Sequence, residues 1–423
     1  MINYKDITRL DLETSSLCNA ECRVCSRRRD GGVKNQTFTE TYMTIKQVKE
    51  WFPEDFIENL NIITMCGNYG DSMTNPDLIP ILKHFRSINP TIRFQMNTNA
   101  SGRNEAFWRE LGEIFSLNNS TLVFSVDGLE DTNWIYRKGT HWDKIMSAMK
   151  TYISTGANSR WEFLVFRHNE HQVEEARQLA KDMGVTKFFA KRAMGYSNSI
   201  NRTPEMKVYG RQGEYQYTIK PPIGKIFGTG GNTFDAEREF NKRNIGIFEP
   251  WHMLPDSEKV GYISDIKSDL EKSYINIEPT EPRKLFLQSF ERTNHIGKIN
   301  RELTEQEVEL GKCDIDCLAI KNSQIFVNSY GLVFPCCWHA ALYDDEFGDI
   351  DTVAPLINFI KSFGEDTISL KHKSIKEIID GEIYTSGYLE TFKDRDIRNK
   401  RLKSCAIICG VVQTDTKDII SSL

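Results

Sequence analysis

The chain has no apolar run long enough to cross a bilayer, which excludes a membrane-spanning helix. Its first residues, MINYKDITRLDLE, are charged and lack the apolar core of a secretory signal, so a cytoplasmic, reducing location is expected. No charge sign dominates: 54 Lys and Arg face 59 Asp and Glu, a net charge of -5. No general nucleic-acid-binding surface is expected from that balance, although a local basic patch stays compatible with it. No internal repeat or low-complexity tract is evident. The 423 residues are 39% hydrophobic and 27% charged, a globular composition with enough chain for two domains or more.

Against this ordinary background the ten cysteines are unevenly placed. In a reducing compartment, clustered cysteines more often serve metals or catalysis than disulfides. Cys18, Cys22 and Cys25 lie together, Cys313, Cys317, Cys336, Cys337, Cys405 and Cys409 fall late in the chain, and Cys66 stands alone. An isolated cysteine is expected to be a small buried hydrophobe. The first group reads LETSSLCNAECRVCSRR, a C-x3-C-x2-C spacing after an alternating run, Thr8 to Glu13. Zinc normally takes four ligands, and no fourth Cys or His lies nearby. Three close thiolates can instead hold three irons of a four-iron cubane. The remaining iron is then open to a small molecule and can pass it an electron.

From about residue 8 to 192 the pattern alternates strand and helix. Strands are expected at 9–14, 60–66, 91–98, 121–127, 160–167 and 185–193. Helices are expected at 44–60 (interrupted near Pro53), 75–88, 104–116, 141–155 and 170–184, the last closed by Gly184. Such β-α repeats with short connections predict a parallel sheet with outer helices, curled into a partial (β/α)6 TIM-like barrel. In that architecture chemistry collects at the C-terminal ends of the strands. Three domains are expected: a partial barrel over 1–194, an insertion or linker with little core of its own over 195–310, and a smaller α+β, cysteine-rich unit over 311–423.

The C-x3-C-x2-C loop after the first strand resembles that of the radical S-adenosylmethionine (radical SAM) enzymes, in which a site-differentiated [4Fe–4S] cluster binds SAM at its open iron. Further strand ends resemble the same family. MCGNYGDSMTNPDL is similar to its Gly-Gly-Glu-Pro-like turn, with Ser72 in place of the usual proline. Gly67 and Gly70 would let backbone approach a ligand, and Asp71 would pair with the SAM ammonium. FSVDGLEDTNWIYRKG places Ser125 and Asp127 where the family contacts SAM, and Arg137 where it could grip a carboxylate. Asn97 and Asn99 in MNTNAS and Asn169 in FRHNEHQVEEA are further cofactor-binding candidates, although helix capping also accounts for Asn169. Val24 departs from the aromatic common before the third cysteine, so apolar contact with adenine remains but stacking does not. Arg27, Arg28 and Arg29 read as a solvated charge run, with attraction of an acidic substrate or redox partner as the other reading.

Late in the chain, Cys317 and Cys336 frame CLAIKNSQIFVNSYGLVFPC, an apolar-alternating β-hairpin pattern with Gly331 in the turn. Its C-x13-G-x4-C spacing resembles the opening of the family's twitch and SPASM auxiliary-cluster domains. By that resemblance Cys317, Cys336, Cys405 and Cys409 close an auxiliary [4Fe–4S] cluster, with Cys313 and Cys337 as alternates and a structural zinc site as the other reading of the same thiols. Six cysteines are too few for two fully thiolate-ligated clusters, which favours a one-cluster twitch unit over full SPASM. The resemblance implies an oxidoreductase or modifying enzyme that reductively cleaves SAM, with an electron from a flavodoxin- or ferredoxin-type donor, to a 5′-deoxyadenosyl radical that takes hydrogen from a substrate. A peptide or protein substrate is expected, because the 195–310 segment could shape a groove. Dehydrogenation of a small molecule, or a zinc-stabilised binding protein without radical chemistry, are the alternatives.

Overall fold

The structure is a computed structural model that describes residues 3–193, 205–222, 303, 305–344, 350–397 and 400–411. Helix starts follow local chemistry. Thr44 and Gln47 form a capping box at α1 (Ile45–Trp51), and Pro53 separates α1 from α2 (Glu54–Glu58). α3 spans Leu78–Ile88, and the Asn104 side chain caps α4 (Glu105–Phe115) by accepting the Phe107 N–H. A short α5 (Asn133–Tyr136) precedes α6 (Trp142–Ile153). α7 (Val173–Met183) ends at Gly184, whose φ of +82° is the left-handed conformation of a glycine stop.

Between these helices run β1 (Arg9–Leu12), β2 (Ile62–Met65), β3 (Arg93–Thr98), β4 (Thr121–Ser125), β5 (Asn158–Val165) and β6 (Lys187–Arg192). A hairpin follows, β7 (Met206–Tyr209) and β8 (Tyr215–Ile219). Later come β9 (Asp314–Ile315), β10 (Gln324–Val327), β11 (Val333–Phe334) and β12 (Gly410–Val411). One eight-stranded sheet has the order β11-β10-β1-β2-β3-β4-β5-β6. The β1–β2, β4–β5 and β5–β6 pairs are parallel, as β-α units require. β10 extends the sheet, parallel to β1 with Arg9 opposite Gln324, and β11 returns antiparallel. The expected hairpin is present, with Gly331 in its turn at φ +92°. This α/β sheet with interspersed helices is the anticipated fold class.

The chain divides into two compact units, one from residues 1–17, 35–95 and 281–421, the other from 18–34, 96–280 and 422–423. In the first, Leu10, Leu12, Ile63, Ile325 and Val327 are buried with Phe52, Phe56, Leu82 and Phe85 of the helices. Asp11, on the opposite side of β1 from Leu10 and Leu12, receives a hydrogen bond from Gln324 Nε2 at 3.2 Å. In the second, Trp108, Phe115, Phe124, Tyr152, Trp161 and Phe163 form an aromatic core. Most of the 195–310 segment lies outside the described residues. Its β7–β8 hairpin buries Met206, Val208, Tyr217 and Ile219 against the three-cysteine loop. No described helix is long and apolar enough to cross a membrane.

Candidate functional site

In the second unit, Cys22 is buried and Cys18 and Cys25 are half-buried against one apolar cluster that includes Ala20, Tyr136, Phe166, Val208 and Tyr217. The loop is held by main-chain bonds from Cys25 N to Cys22 O, Arg28 N to Cys25 O and Glu21 N to Lys138 O. Gly139 is required here: its φ is +84° and a β-carbon would stand 2.7 Å from Asn19 O. Three N–H donors face sulfur: Ala20 N lies 3.4 Å and Asn99 Nδ2 3.6 Å from Cys18 Sγ, and Arg137 Nη1 lies 3.6 Å from Cys22 Sγ. Burial pushes the Cys22 thiol up to about 11, and Arg137 opposes that shift. Among the described residues no three His, Cys, Asp or Glu side chains converge as a ready-made metal site. The donor set itself, three soft thiols in an apolar setting with N–H groups turned to sulfur, fits a thiolate-held iron–sulfur cluster.

The strand-end candidates of this unit form one polar system. Asp127, fully buried after β4, accepts from Arg137 Nε at 2.5 Å and from Leu164 N at 2.6 Å. Burial pushes its carboxyl up while Arg137 pulls it down. Arg137 therefore bridges Asp127 and the Cys22 thiol. Asn169 is wholly engaged: its amide accepts from Phe166 N and donates to Asp127 O and Leu164 O, tying the ends of β4 and β5 together. It makes no side-chain cap, so the helix-capping expectation fails because the amide is consumed by these strand-end carbonyls. Asn99 also donates to Asn19 Oδ1 at 2.9 Å and accepts from Ser101 N. Asn97 Oδ1 is buried without a hydrogen-bond partner, and Ser125 closes β4 half-buried.

The arginine run is not uniformly solvated. Arg29 is exposed, but Arg27 is buried and Arg28 pairs with Glu21 at 3.2 Å. Glu21, between the first two cysteines, also meets Lys138 at 3.5 Å and Arg211 of the β7–β8 turn at 2.7 Å. Sequence reading missed Glu21 because two of its three cations come from distant segments.

In the first unit, Gly67 to Asp71 form a tight turn. Gly67 has φ +55° and a β-carbon there would stand 2.2 Å from Gly70 O; one on Gly70 would stand 1.7 Å from Ser15 O. Glu13, buried and unforeseen, accepts from Tyr69 N at 2.6 Å and Gly70 N at 3.1 Å. Its place at the end of an alternating strand was the available signal. Asp71 accepts from Met73 N at 3.1 Å. Asn68 Nδ2 donates to Cys337 O at 2.8 Å, and Tyr69 OH to Ala341 O at 2.6 Å. Cys66 is exposed rather than buried, since it follows the last residue of β2 and enters this turn.

The late cysteines separate into a set of four and two others. Cys317 and Cys409 face each other as one hydrogen-bonded pair, which lowers the Cys317 thiol and raises that of Cys409. Burial raises the Cys336 and Cys405 thiols; Cys405 and Cys317 add to that at Cys336, and Cys317 at Cys405. N–H groups of Ala319 and Ile320 face Cys317, that of Leu318 faces Cys409, and those of Trp338 and His339 face Cys336. Soft thiols and N–H donors are the chemistry of a tetrathiolate centre, but these side chains do not stand together as a ready-made metal site. Cys313 is turned elsewhere, 3.2 Å from Leu310 O and 3.1 Å from Nη2 of the buried Arg401. Cys337 neighbours Cys336 and Asp11, and burial raises its thiol.

Comparison with known proteins gives a family match and distant structural likenesses. The model of the radical SAM superfamily matches residues 12–180. No curated protein matches the chain. Among solved structures, Streptococcus suis SuiB bound to S-adenosylmethionine is 15% identical with a TM-score of 0.43, over 93% of this chain and 75% of that one. The protein anSMEcpe with bound AdoMet is 12% identical with a TM-score of 0.43, over 91% of this chain and 79% of that one. BtrN in complex with AdoMet and 2-DOIA is 11% identical with a TM-score of 0.38, over 93% and 92%. The matched span, residues 12–180, holds the three-cysteine loop, the glycine turn, Asp127, Arg137 and Asn169.

Proposed function

We propose that this chain is a radical SAM enzyme that reductively cleaves SAM and uses the resulting radical on a peptide or protein. The observation that carries the reading is the three-cysteine loop inside the matched span, its thiols seated in an apolar cluster with Asn99 and Arg137 turned to sulfur. Cys18, Cys22 and Cys25 would hold a [4Fe–4S] cluster, which supplies the electron that cleaves SAM when both are bound.

The chain's own residues prepare that chemistry. The apolar cluster and the β7–β8 hairpin bury Cys22 and cover Cys18 and Cys25 in part, which limits water at the thiols. Arg137, fixed by Asp127, offers positive charge beside Cys22 and favours its thiolate. The Gly67–Asp71 turn, drawn tight by Glu13, offers backbone that a ligand can approach closely, and Asp71 offers a carboxylate for an ammonium. Cys317, Cys336, Cys405 and Cys409 would hold a second, auxiliary cluster. A flavodoxin- or ferredoxin-type protein is the proposed electron donor.

Anaerobic protein reconstituted with iron and sulfide and reduced with dithionite is expected to release 5′-deoxyadenosine from SAM. A Cys22→Ala variant is expected to release none, and equal release by that variant contradicts the reading. The peptide assignment rests on the length of the 195–310 segment. Removing residues 223–302 is expected to preserve SAM cleavage and abolish substrate turnover; retained turnover contradicts it.

A further inference from the structure

The Gly67–Asp71 turn is held from two sides, and one of them lies far along the chain. On the first side, Glu13 Oε1 accepts from two successive main-chain groups, Tyr69 N at 2.6 Å and Gly70 N at 3.1 Å. On the second side stands the helix Cys337–Tyr343. Asn68 Nδ2 donates to Cys337 O at 2.8 Å, and Tyr69 OH to Ala341 O at 2.6 Å. Those two carbonyls are four residues apart, so they share one helix face and stand about 6 Å apart along its axis. Neighbouring residues of the turn thus grip the helix at two points. Ala341 is in the last turn of the helix, where carbonyls lack partners within the helix, and the Tyr69 hydroxyl supplies one.

The grip is reinforced. Tyr69 is 3% exposed, and its ring stacks on Phe38 with centroids 4.6 Å apart and planes at 14°. In the same short segment, Asn35 Nδ2 donates to Asp344 O at 2.8 Å, at the C-terminal cap of the helix. Residues 35–38 therefore clamp both the ring and the helix end. A two-point hold resists sliding and rotation, whereas a single hydrogen bond leaves a turn free to pivot. A glycine turn needs such support, because the freedom that admits a ligand close to backbone is costly to order.

Resting on the reading above that this turn receives SAM, we propose that the helix Cys337–Tyr343 completes the SAM site from outside the matched span, and that Asn68 and Tyr69 carry its position into the turn. They are positioning residues. A turn ordered in advance spares SAM the entropy of ordering it on binding.

The test uses the full chain, reconstituted anaerobically with iron and sulfide. Tyr69→Phe keeps the ring on Phe38 and removes the hydroxyl, and Asn68→Ala removes the second tie. The double variant is expected to bind labelled SAM about tenfold more weakly in equilibrium dialysis, and each single variant about threefold. In 5′-deoxyadenosine release, the KM for SAM is expected to rise with that loss while kcat changes by less than about twofold. Without iron or SAM, residues 67–71 of the double variant are expected to exchange amide hydrogen several-fold faster than wild type. Unchanged SAM affinity in the folded double variant overturns the proposal, and so does a fall confined to kcat. Should the variants not fold, hydrogen exchange of the unaltered, reconstituted chain decides. SAM is expected to slow exchange in 67–71 and 337–343 together, and slowing in the turn alone overturns the proposal. If SAM binds wild type without slowing exchange in 67–71, the SAM reading of the turn falls first and the inference with it, an outcome distinct from any effect of the helix.

Discussion

Asp11 is a carboxylate placed where water is scarce. Burial raises it from 3.8 to about 6, against the opposing effects of the Arg9 charge and the nearby Thr64 hydroxyl. A folded-state value above the unfolded one means that folding favours the protonated form. The neutral group costs nothing below pH 3.8, and the penalty grows as pH rises through about 6. At 1.36 kcal/mol per unit this reaches about 3 kcal/mol at pH 8, and about half that at pH 5. Asp11→Asn is therefore expected to stabilise the chain at pH 8 and by about half as much at pH 5, read from urea unfolding. Equal gains at both pH values contradict the assignment. At this scale the sequence was partly legible. The cysteines and glycines announced themselves through spacing, and Asp127 and Arg137 through their strand-end motif. Glu13, Glu21 and Arg401 did not, because a buried charge is recognised by partners that folding brings together.

The elements were more legible than the residues. Alternation and helix punctuation placed the β-α repeats of residues 9–192, and Pro53 broke its helix where expected. β10 beside β1 was not foreseeable, since its register pairs residues more than 300 positions apart and no local pattern encodes that pairing. The β7–β8 hairpin was hidden for a similar reason: its buried side chains pack on another loop, so it reads in isolation as weak structure. Its closeness to that loop rests on Gly32, where a β-carbon would stand 2.4 Å from Gly210 O. Gly32→Ala must push the hairpin away, a strain of about 1–3 kcal/mol. The variant is expected to lose cluster absorbance in air several-fold faster than wild type. Unchanged bleaching, with unchanged stability, contradicts a shielding role for the hairpin.

As a whole molecule the chain carries two groups of thiols, each lined with N–H donors and each in its own compact unit. The matched span covers the first group; the second lies beyond it. Iron and sulfide counting after anaerobic reconstitution of wild type and the Cys18/Cys22/Cys25→Ala variant addresses the first group directly. The account predicts brown wild-type protein with roughly eight irons per chain, and a triple variant with about four. Colourless zinc-loaded wild type, or a triple variant with undiminished iron, contradicts it.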